Sequence, residues 1–242
     1  MSVATARRTR TRLGVFPGLV LAALMLVVTL PAPGASAAAR LDGVPVVLTR
    51  GTTQVITVNR TRSWHARVTL WQRGGTGWKV VARAKDGRIG YGGLVRPRKR
   101  HQGTGTTPLG TTTLISAFGR HPRGDSWSLP YRRIKTGDYW VEDNGSRYYN
   151  RYRNKAQGGF RWWLPASNEN GSERLRDFPV QYEFSIVTGY NHAQVRHRGA
   201  GIFLHVNGSG ATAGCVSAPR WFLRRLMVQL QPKQVPLMAA GR

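Results

Sequence analysis

The sequence predicts a mainly β, sandwich-like domain with a single helix near its C-terminal end. Short segments rich in β-branched and aromatic residues recur along the chain, and turn residues separate them. One such segment, residues 66–72, largely alternates apolar and polar side chains, as a half-buried strand does. In contrast, only residues 221–230 space their apolar side chains with a helical period. Strand pairing is therefore the expected architecture.

The predicted elements follow one another in a simple order. Strands are expected at residues 54–58, 66–72, 78–83, 111–118, 180–189 and 201–205. The Gly-Gly-Thr-Gly sequence at residues 74–77 predicts a hairpin between the second strand and the third. The helix is expected to have Ser217 as its N-cap and Pro219 in its first turn. Residues 138–170 show little periodicity, which predicts a long loop or lid.

Residues 1–39 have the features of a signal peptide. Four arginines within residues 7–12 precede an apolar run at residues 19–30, whose only polar member is Thr29. Prolines follow the run, and Ala-Ser-Ala at residues 35–37 is typical of a cleavage site. An uncleaved membrane anchor is the alternative, but the run is shorter than the roughly 20 residues that span a bilayer. We therefore expect an exported protein of the cell exterior or cell wall.

The remaining residues suit one domain with a sizeable core. We expect an extended lead-in at residues 40–53, the folded domain at residues 54–231 and a weakly ordered tail at residues 232–242. We also expect a monomer.

The chain is strongly basic, with 37 lysines and arginines, 10 acidic residues and a net charge of +27. Such a charge predicts a polyanionic partner, and export favours an anionic cell-wall polymer or lipid over nucleic acid. The alternative is that the arginine-rich composition, and so part of this charge, reflects a high-GC genome. The basic cluster at residues 96–100 is expected to be a solvated face or a polymer contact, and Glu142 and Asp143 are expected at the surface.

Cys215 is the only cysteine of the chain, so no internal disulfide forms. A lone cysteine in an oxidising compartment is a liability unless it is buried or used. No His, Cys, Asp and Glu spacing resembles a zinc site, so neither a metal nor a cofactor is expected. These observations direct attention to the thiol itself.

The densest chemical signal runs from His205 to Ser217, His-Val-Asn-Gly-Ser-Gly-Ala-Thr-Ala-Gly-Cys-Val-Ser. A strand delivers His205, a glycine-rich turn folds back, and Cys215 stands just before the predicted helix. A thiol becomes a strong nucleophile when an imidazole takes its proton or a helix N-terminus stabilises the thiolate. The backbone N–H groups of Gly214 and Cys215 are candidates for an oxyanion hole. The alternative is a structural cysteine beside a strand-end histidine whose hydrogen bonds are satisfied.

This segment resembles the active-site motif of the L,D-transpeptidase catalytic domain, the YkuD family, in the variant common in actinobacteria. Thr-Ala-Gly-Cys at residues 212–215 matches the family's Ser/Thr-x-Gly-Cys. Gly-Thr-Gly-Thr-Thr-Pro-Leu-Gly at residues 103–110 resembles its Gly-Asp-Gly-x-Thr-Pro-x-Gly turn, and Val-Thr-Gly-Tyr-Asn at residues 187–191 resembles the strand before the histidine. The likeness covers roughly residues 54–231 and implies a single sandwich-like L,D-transpeptidase catalytic domain.

The resemblance also implies an activity on peptidoglycan stem peptides. Cys215 would attack the carbonyl of the third stem residue, a diamino acid, and release the terminal D-alanine. His205 would serve as general base and then as acid, and the thioester would pass to an amine. Transfer to water would instead make the chain an L,D-carboxypeptidase or amidase. A catalytically degenerate, basic module that binds the cell wall is the third interpretation.

The chain departs from the family pattern at three positions. Ala213 stands where many members have histidine, Thr104 replaces an aspartate in the proline turn, and Ser217 stands where the family usually has arginine or asparagine. The last position often helps to hold the donor peptide in the family, so donor and acceptor preferences are open. The residues that we expect to line the cleft are Tyr190, Asn191, Thr212 and Ser217.

Overall fold

The computed structural model describes residues 1–2 and 38–242, and residues 38–242 belong to a compact unit that spans Ser36–Arg242. Most of the predicted signal peptide therefore lies outside the described residues. Within the described part of the chain, no helix has the length and apolar character needed to cross a membrane.

The described part of the chain is built from short strands and one α-helix. In chain order they are β1 (Ala38–Leu41), β2 (Val44–Val47), β3 (Gln54–Arg62), β4 (His65–Gly74), β5 (Gly77–Arg88), β6 (Leu94–Val95), β7 (Thr107–Pro108), β8 (Gly110–Gly119), β9 (Tyr131–Arg133), β10 (Asp138–Trp140), β11 (Tyr152–Asn154), β12 (Glu173–Arg174), β13 (Phe184–Thr188), β14 (Phe203–Val206), β15 (Val216–Ala218), α1 (Arg220–Gln229) and β16 (Leu237–Gly241). The mainly β, sandwich-like fold class with one helix after Cys215 is confirmed.

The main sheet curls until it closes on itself. Its strand order is β13-β14-β15-β5-β4-β3-β16-β8-β9, and an additional antiparallel pairing joins β13 to β8. The predicted hairpin is present, since Gly74 pairs with Gly77 at the end of β4 and β5. Closure leaves few strand edges exposed, which protects a sheet from pairing with other chains.

The C-terminal residues correct one prediction. Residues 232–242 are not a weakly ordered tail, because β16 pairs in parallel with β3 and antiparallel with β8, and all five of its residues are buried. Leu237 and Ala239 pack in one cluster while Met238 and Ala240 pack in another, so both faces of the strand are covered. Small and apolar side chains without polar alternation are typical of such a strand.

The lead-in at residues 40–53 also differs from the prediction. It is extended but not a separate lead-in, since β1 and β2 pair antiparallel as a hairpin, from Ala38 against Val47 to Leu41 against Val44. Val44 and Val46 of the hairpin pack against Leu237 of β16. The folded domain therefore extends beyond the predicted bounds of residues 54–231 and includes both terminal segments.

The helix begins later than predicted. Ser217 is not its N-cap, because Ser217 lies in β15, and the helix starts at Arg220 with Pro219 before it. Phe222 and Leu226 are buried as the spacing predicts. Since β15 stands between Cys215 and α1, the thiol does not lie at a helix N-terminus.

The strand β14 separates two core clusters. Leu204 and Val206 face the cluster that contains α1, whereas Phe203 faces an aromatic cluster on the opposite side. Alternate residues of a strand point to opposite faces, which explains this division. The aromatic cluster comprises Phe118, Trp140, Tyr149, Leu175, Tyr182, Val187, Ala200 and Phe203. Residues 138–170 therefore supply core residues and two strands, β10 and β11, of the small sheet β11-β10-β12, not only a loop.

Candidate functional site

The thiol of Cys215 lies at the edge of the aromatic cluster, and the residue as a whole is half-buried. Its Sγ donates a hydrogen bond to the carbonyl of Gly201 at 3.0 Å and accepts one from the backbone N–H of Phe203 at 3.3 Å. The parallel pairing of β14 with β15 places Leu204 beside Val216 and therefore Phe203 beside Cys215. The sulfur is thus held by the strand that carries His205.

The loop before Cys215 is fixed by two threonine hydroxyls. The hydroxyl of Thr212 donates to the carbonyl of Cys215 at 2.6 Å and accepts from the N–H of Gly214 at 3.2 Å. The hydroxyl of Thr107 donates to the carbonyl of Gly214 at 2.7 Å and accepts from the N–H of Gly90. Thr107 belongs to the Thr-Pro-Leu-Gly sequence, so the structure brings two distant motifs of the chain into contact.

The predicted oxyanion hole is therefore only partly available in this arrangement. The N–H of Gly214 is engaged by Thr212, and Gly214 has a φ of +129°, a conformation that side-chain-bearing residues rarely adopt. The oxyanion hole of Gly214 and Cys215 stays a prediction.

His205 lies on the same side of β14 as Phe203, two residues further along the strand. It pairs in register with Ser217, and its ring meets the edge of the Tyr182 ring at 5.6 Å between centroids. Its Nδ1 lies 2.8 Å from the carbonyl oxygen of Val206. A carbonyl only accepts, so this bond fixes the proton on Nδ1 and leaves the lone pair on Nε2. No hydrogen bond among the described residues joins His205 to Cys215, so the catalytic pair stays a prediction.

Burial keeps both groups neutral. It lowers the pKa of His205 to about 4, although the bond to Val206 opposes the shift. Burial also raises the pKa of the Cys215 thiol far above its usual range, and the carboxylate of Glu173 adds to this effect. The hydrogen bond from the backbone N–H of Phe203 favours the thiolate, but its effect on the pKa is smaller than that of burial. At neutral pH the resting pair is therefore a thiol and an imidazole, not a thiolate and an imidazolium.

Two glutamates beside the thiol were missed by the sequence analysis. Burial raises the pKa of Glu142 to about 8 and that of Glu173 to about 7, and the negative charge of Glu173 contributes to the shift at Glu142. The Tyr182 hydroxyl donates to Glu173 at 2.6 Å. The expectation of surface charges at positions 142 and 143 is wrong, since Glu142 lies within the site and Asp143 is buried against Arg161. No local pattern marks these acids, because their burial depends on residues far away in sequence.

Arg100 is a second group that the sequence did not single out. It closes the basic cluster at residues 96–100, where we expected a solvated face, yet only 4% of its surface is exposed. Its Nε donates to the carbonyl of Thr106 at 2.8 Å, and its Nη1 donates to the carbonyl of Arg198 at 2.9 Å. The exposed part of the cluster comprises residues 96–99 only.

The predicted cleft residues occupy different places. The Tyr190 ring lies 5.4 Å from the Arg100 guanidinium, which brings it to the site. The Asn191 side chain donates to the carbonyls of Val195 and Gly199 at 2.9 Å and shapes the loop beside the site. Ser217 is fully buried and donates to the Asn207 side chain at 2.7 Å, so it stabilises the loop between His205 and Cys215 from the protein interior. All four predicted cleft residues stay predictions as contacts to a ligand.

Metal binding receives no support from the described residues. Within residues 38–242, no group of three or more His, Cys, Asp or Glu side chains is arranged to hold a metal ion.

No family model matches this chain. No curated protein matches it either. Solved structures that are similar to it include the following two. A structure of Bd1075 from Bdellovibrio bacteriovorus has a TM-score of 0.39 and 14% identity, covering 78% of this chain and 47% of that one. L,D-transpeptidase 1 from Mycobacterium tuberculosis has a TM-score of 0.35 and 12% identity, covering 77% of this chain and 62% of that one.

This chain thus spans about half of the first structure and under two thirds of the second. At these low values the two matches assign neither a family nor an activity to the chain. The function has to be argued from the site itself.

Proposed function

We propose that the chain is an exported cysteine acyltransferase that acts on peptidoglycan stem peptides, as an L,D-transpeptidase does. One observation carries the proposal: the thiol of a half-buried cysteine is held by the strand that bears a buried, neutral histidine. The resemblance of residues 205–217 and 103–110 to the family motifs supports the substrate class. The contact between Thr107 and Gly214 supports it further, since it joins those two motifs at one site.

The reaction begins with a neutral thiol. As Sγ of Cys215 forms a bond to the carbonyl carbon of the third stem residue, Nε2 of His205 accepts the thiol proton. The carbonyl π electrons move to oxygen and give a tetrahedral oxyanion. Its collapse breaks the peptide bond, and the imidazolium returns the proton to the amine of the departing D-alanine. A thioester on Cys215 and neutral His205 remain.

An amine of a second stem then attacks the thioester. His205 accepts the amine proton, the carbon–sulfur bond breaks, and the imidazolium returns that proton to the departing thiolate. Water attacks in the same way and gives hydrolysis, so transpeptidation and carboxypeptidation share one intermediate. The crosslinking outcome is the proposal, and hydrolysis is its alternative.

The high pKa of the thiol has a consequence for this mechanism. A preformed thiolate is costly in the buried site, so proton removal has to accompany carbon–sulfur bond formation. A bound substrate that excludes water and moves His205 towards Sγ would complete the pair. We therefore expect slow reaction with simple alkylating agents and faster reaction with acyl donors that occupy the cleft.

Intact-mass analysis tests the proposal directly. The purified chain is incubated with a carbapenem, and separately with a muropeptide that carries a tetrapeptide stem. We expect a covalent carbapenem adduct and loss or exchange of D-alanine from the muropeptide. Cys215→Ala should show neither. Met227→Leu, a conservative change in the core cluster on the opposite side of β14, serves as a matched control and should retain both. Unchanged adduct formation by Cys215→Ala would reject the proposal.

A basic groove favours the second candidate, a wall-binding module without turnover. The groove has a volume of about 600 Å³ and is lined by four cationic side chains and no carboxylate. These side chains are Arg120, Arg133, Lys135 and Arg176. Converging cations of this kind suit a polymer that carries phosphate or carboxylate groups. Salt-sensitive wall binding without any carbapenem adduct would support this candidate, whereas an adduct that depends on Cys215 would support the enzyme.

A further inference from the structure

The guanidinium of Arg100 is inserted between the two loops that surround the thiol. A Cβ added to Gly199 would lie 1.5 Å from Nη1, and a Cβ added to Gly214 would lie 2.8 Å from Nη2. Gly214 directly precedes Cys215 in the chain. The carbonyls of Thr106 and Arg198 accept hydrogen bonds from Nε and Nη1. Nη2 is therefore the nitrogen that faces the loop before Cys215.

The charge of Arg100 opposes the rise in the pKa of Glu142, but Arg100 forms no ion pair with that carboxyl. None of the ion pairs formed by residues 38–242 includes it. Arg100 is buried, so its guanidinium loses most of its hydration, and two neutral carbonyls restore only part of that free energy. Fork-shaped, charge-assisted hydrogen bonds to a carboxylate are the interaction for which arginine is best suited.

We propose that Arg100 binds a free carboxylate of the substrate beside Cys215. The inference rests on the proposed function, in which the residue released from the thiol site is a terminal D-alanine with a free carboxylate. That carboxylate lies one residue beyond the attacked carbonyl, about 4 Å away along the chain, which matches a cation placed next to Gly214. Arg100 is thus a specificity residue for donors that end at this position.

The position of Ser217 leaves this role to Arg100. Ser217 follows Cys215 by two residues, but it is buried and bonded to Asn207, so it offers no charge to a substrate carboxylate. The Tyr190 ring packs against the guanidinium and holds it in place.

Paired peptides test the inference. One is a synthetic stem tetrapeptide that ends in D-alanine, and the other ends in D-alaninamide, which lacks only the negative charge. We expect the wild-type chain to prefer the free acid. Arg100→Gln should lower kcat/KM for the acid by about 30-fold or more and change that for the amide by less than 3-fold. Arg100→Lys should recover part of the preference. Arg98→Gln, in the exposed part of the same cluster, serves as the control and should change neither value.

A structural role of Arg100 predicts a different result. If Arg100 only holds the loops together, Arg100→Gln should lower the rate for both peptides by the same factor, and that outcome would overturn the inference. Binding to the Cys215→Ala chain, measured by calorimetry, separates this inference from the proposed function. If the wild-type chain turns over neither peptide but Cys215→Ala still binds the acid more tightly through Arg100, the acyltransferase fails and the carboxylate site stands. Equal affinity for acid and amide would remove the site.

Discussion

Replacing Glu142 by glutamine should stabilise the protein at alkaline pH. Glu142 has a pKa of about 8 in the folded chain against a reference value of 4.5, mainly because it is buried. Below pH 4.5 the carboxyl is protonated in both the folded and the unfolded states and has no effect on stability. As the pH rises from 4.5 to 8, the unfolded chain loses this proton and the folded chain keeps it, so the free energy of unfolding falls.

The size of the effect follows from the shift. Each pKa unit corresponds to about 1.4 kcal/mol, which sets an upper limit of roughly 5 kcal/mol at pH 8. Glu173 and Glu142 titrate as a coupled pair, and the site can relax around a charge, so the effect is smaller than this limit. We expect Glu142→Gln to raise the free energy of unfolding by about 2 kcal/mol at pH 8. At pH 4.5 the variant and the wild type should be equally stable. The difference between the two proteins removes the pH dependence of the groups that do not interact with Glu142.

Urea denaturation followed by tryptophan fluorescence at pH 4.5, 6.5 and 8 measures this difference. Glu169→Gln is the matched control, since Glu169 is exposed and pairs with His197 on the surface. It should shift the midpoint little at any pH. If the Glu142→Gln variant is less stable than the wild type at pH 8, the reasoning is refuted. It would mean that the positive charge of Arg100 stabilises the ionised carboxylate more than burial penalises it.

Three further predictions concern catalysis and packing. His205→Ala should lower D-alanine release about 100-fold or more in a muropeptide assay, since an acid–base catalyst of this kind supplies such a factor; normal turnover would place the base elsewhere. Gly214→Ala should lower the free energy of unfolding by about 2 kcal/mol in urea titrations, because its φ is +129° and the new Cβ would meet Arg100 and Thr106. Gly210→Ala, whose Cβ would meet nothing within 4 Å, should cost under about 0.5 kcal/mol; equal costs at both glycines would contradict this. Removal of residues 237–242 should abolish cooperative thermal unfolding in calorimetry, because a strand buried on both faces is lost, and an intact transition would show that β16 is dispensable.

Most strands of the main sheet could be predicted because their signals are local. Turn glycines at residues 74–77 and alternating side chains at residues 66–72 placed the β4–β5 hairpin correctly. The C-terminal strand β16 gave no such signal, since it is short, apolar on both faces and isolated from its partners in sequence. Its two partner strands lie more than 100 residues away, so only the closed sheet reveals that it is central.

Within the candidate site, the sequence alone determined the thiol, the histidine and the loop between them, because a short glycine-rich segment carries all three. The tertiary structure decided what surrounds them. Arg100, Glu142 and Glu173 come from separate segments, and their burial depends on how the closed sheet and the small sheet β11-β10-β12 meet. A charged residue looks the same in sequence whether it is solvated or buried. Desolvation is a property of packing, and it is desolvation that keeps the thiol and the imidazole neutral here.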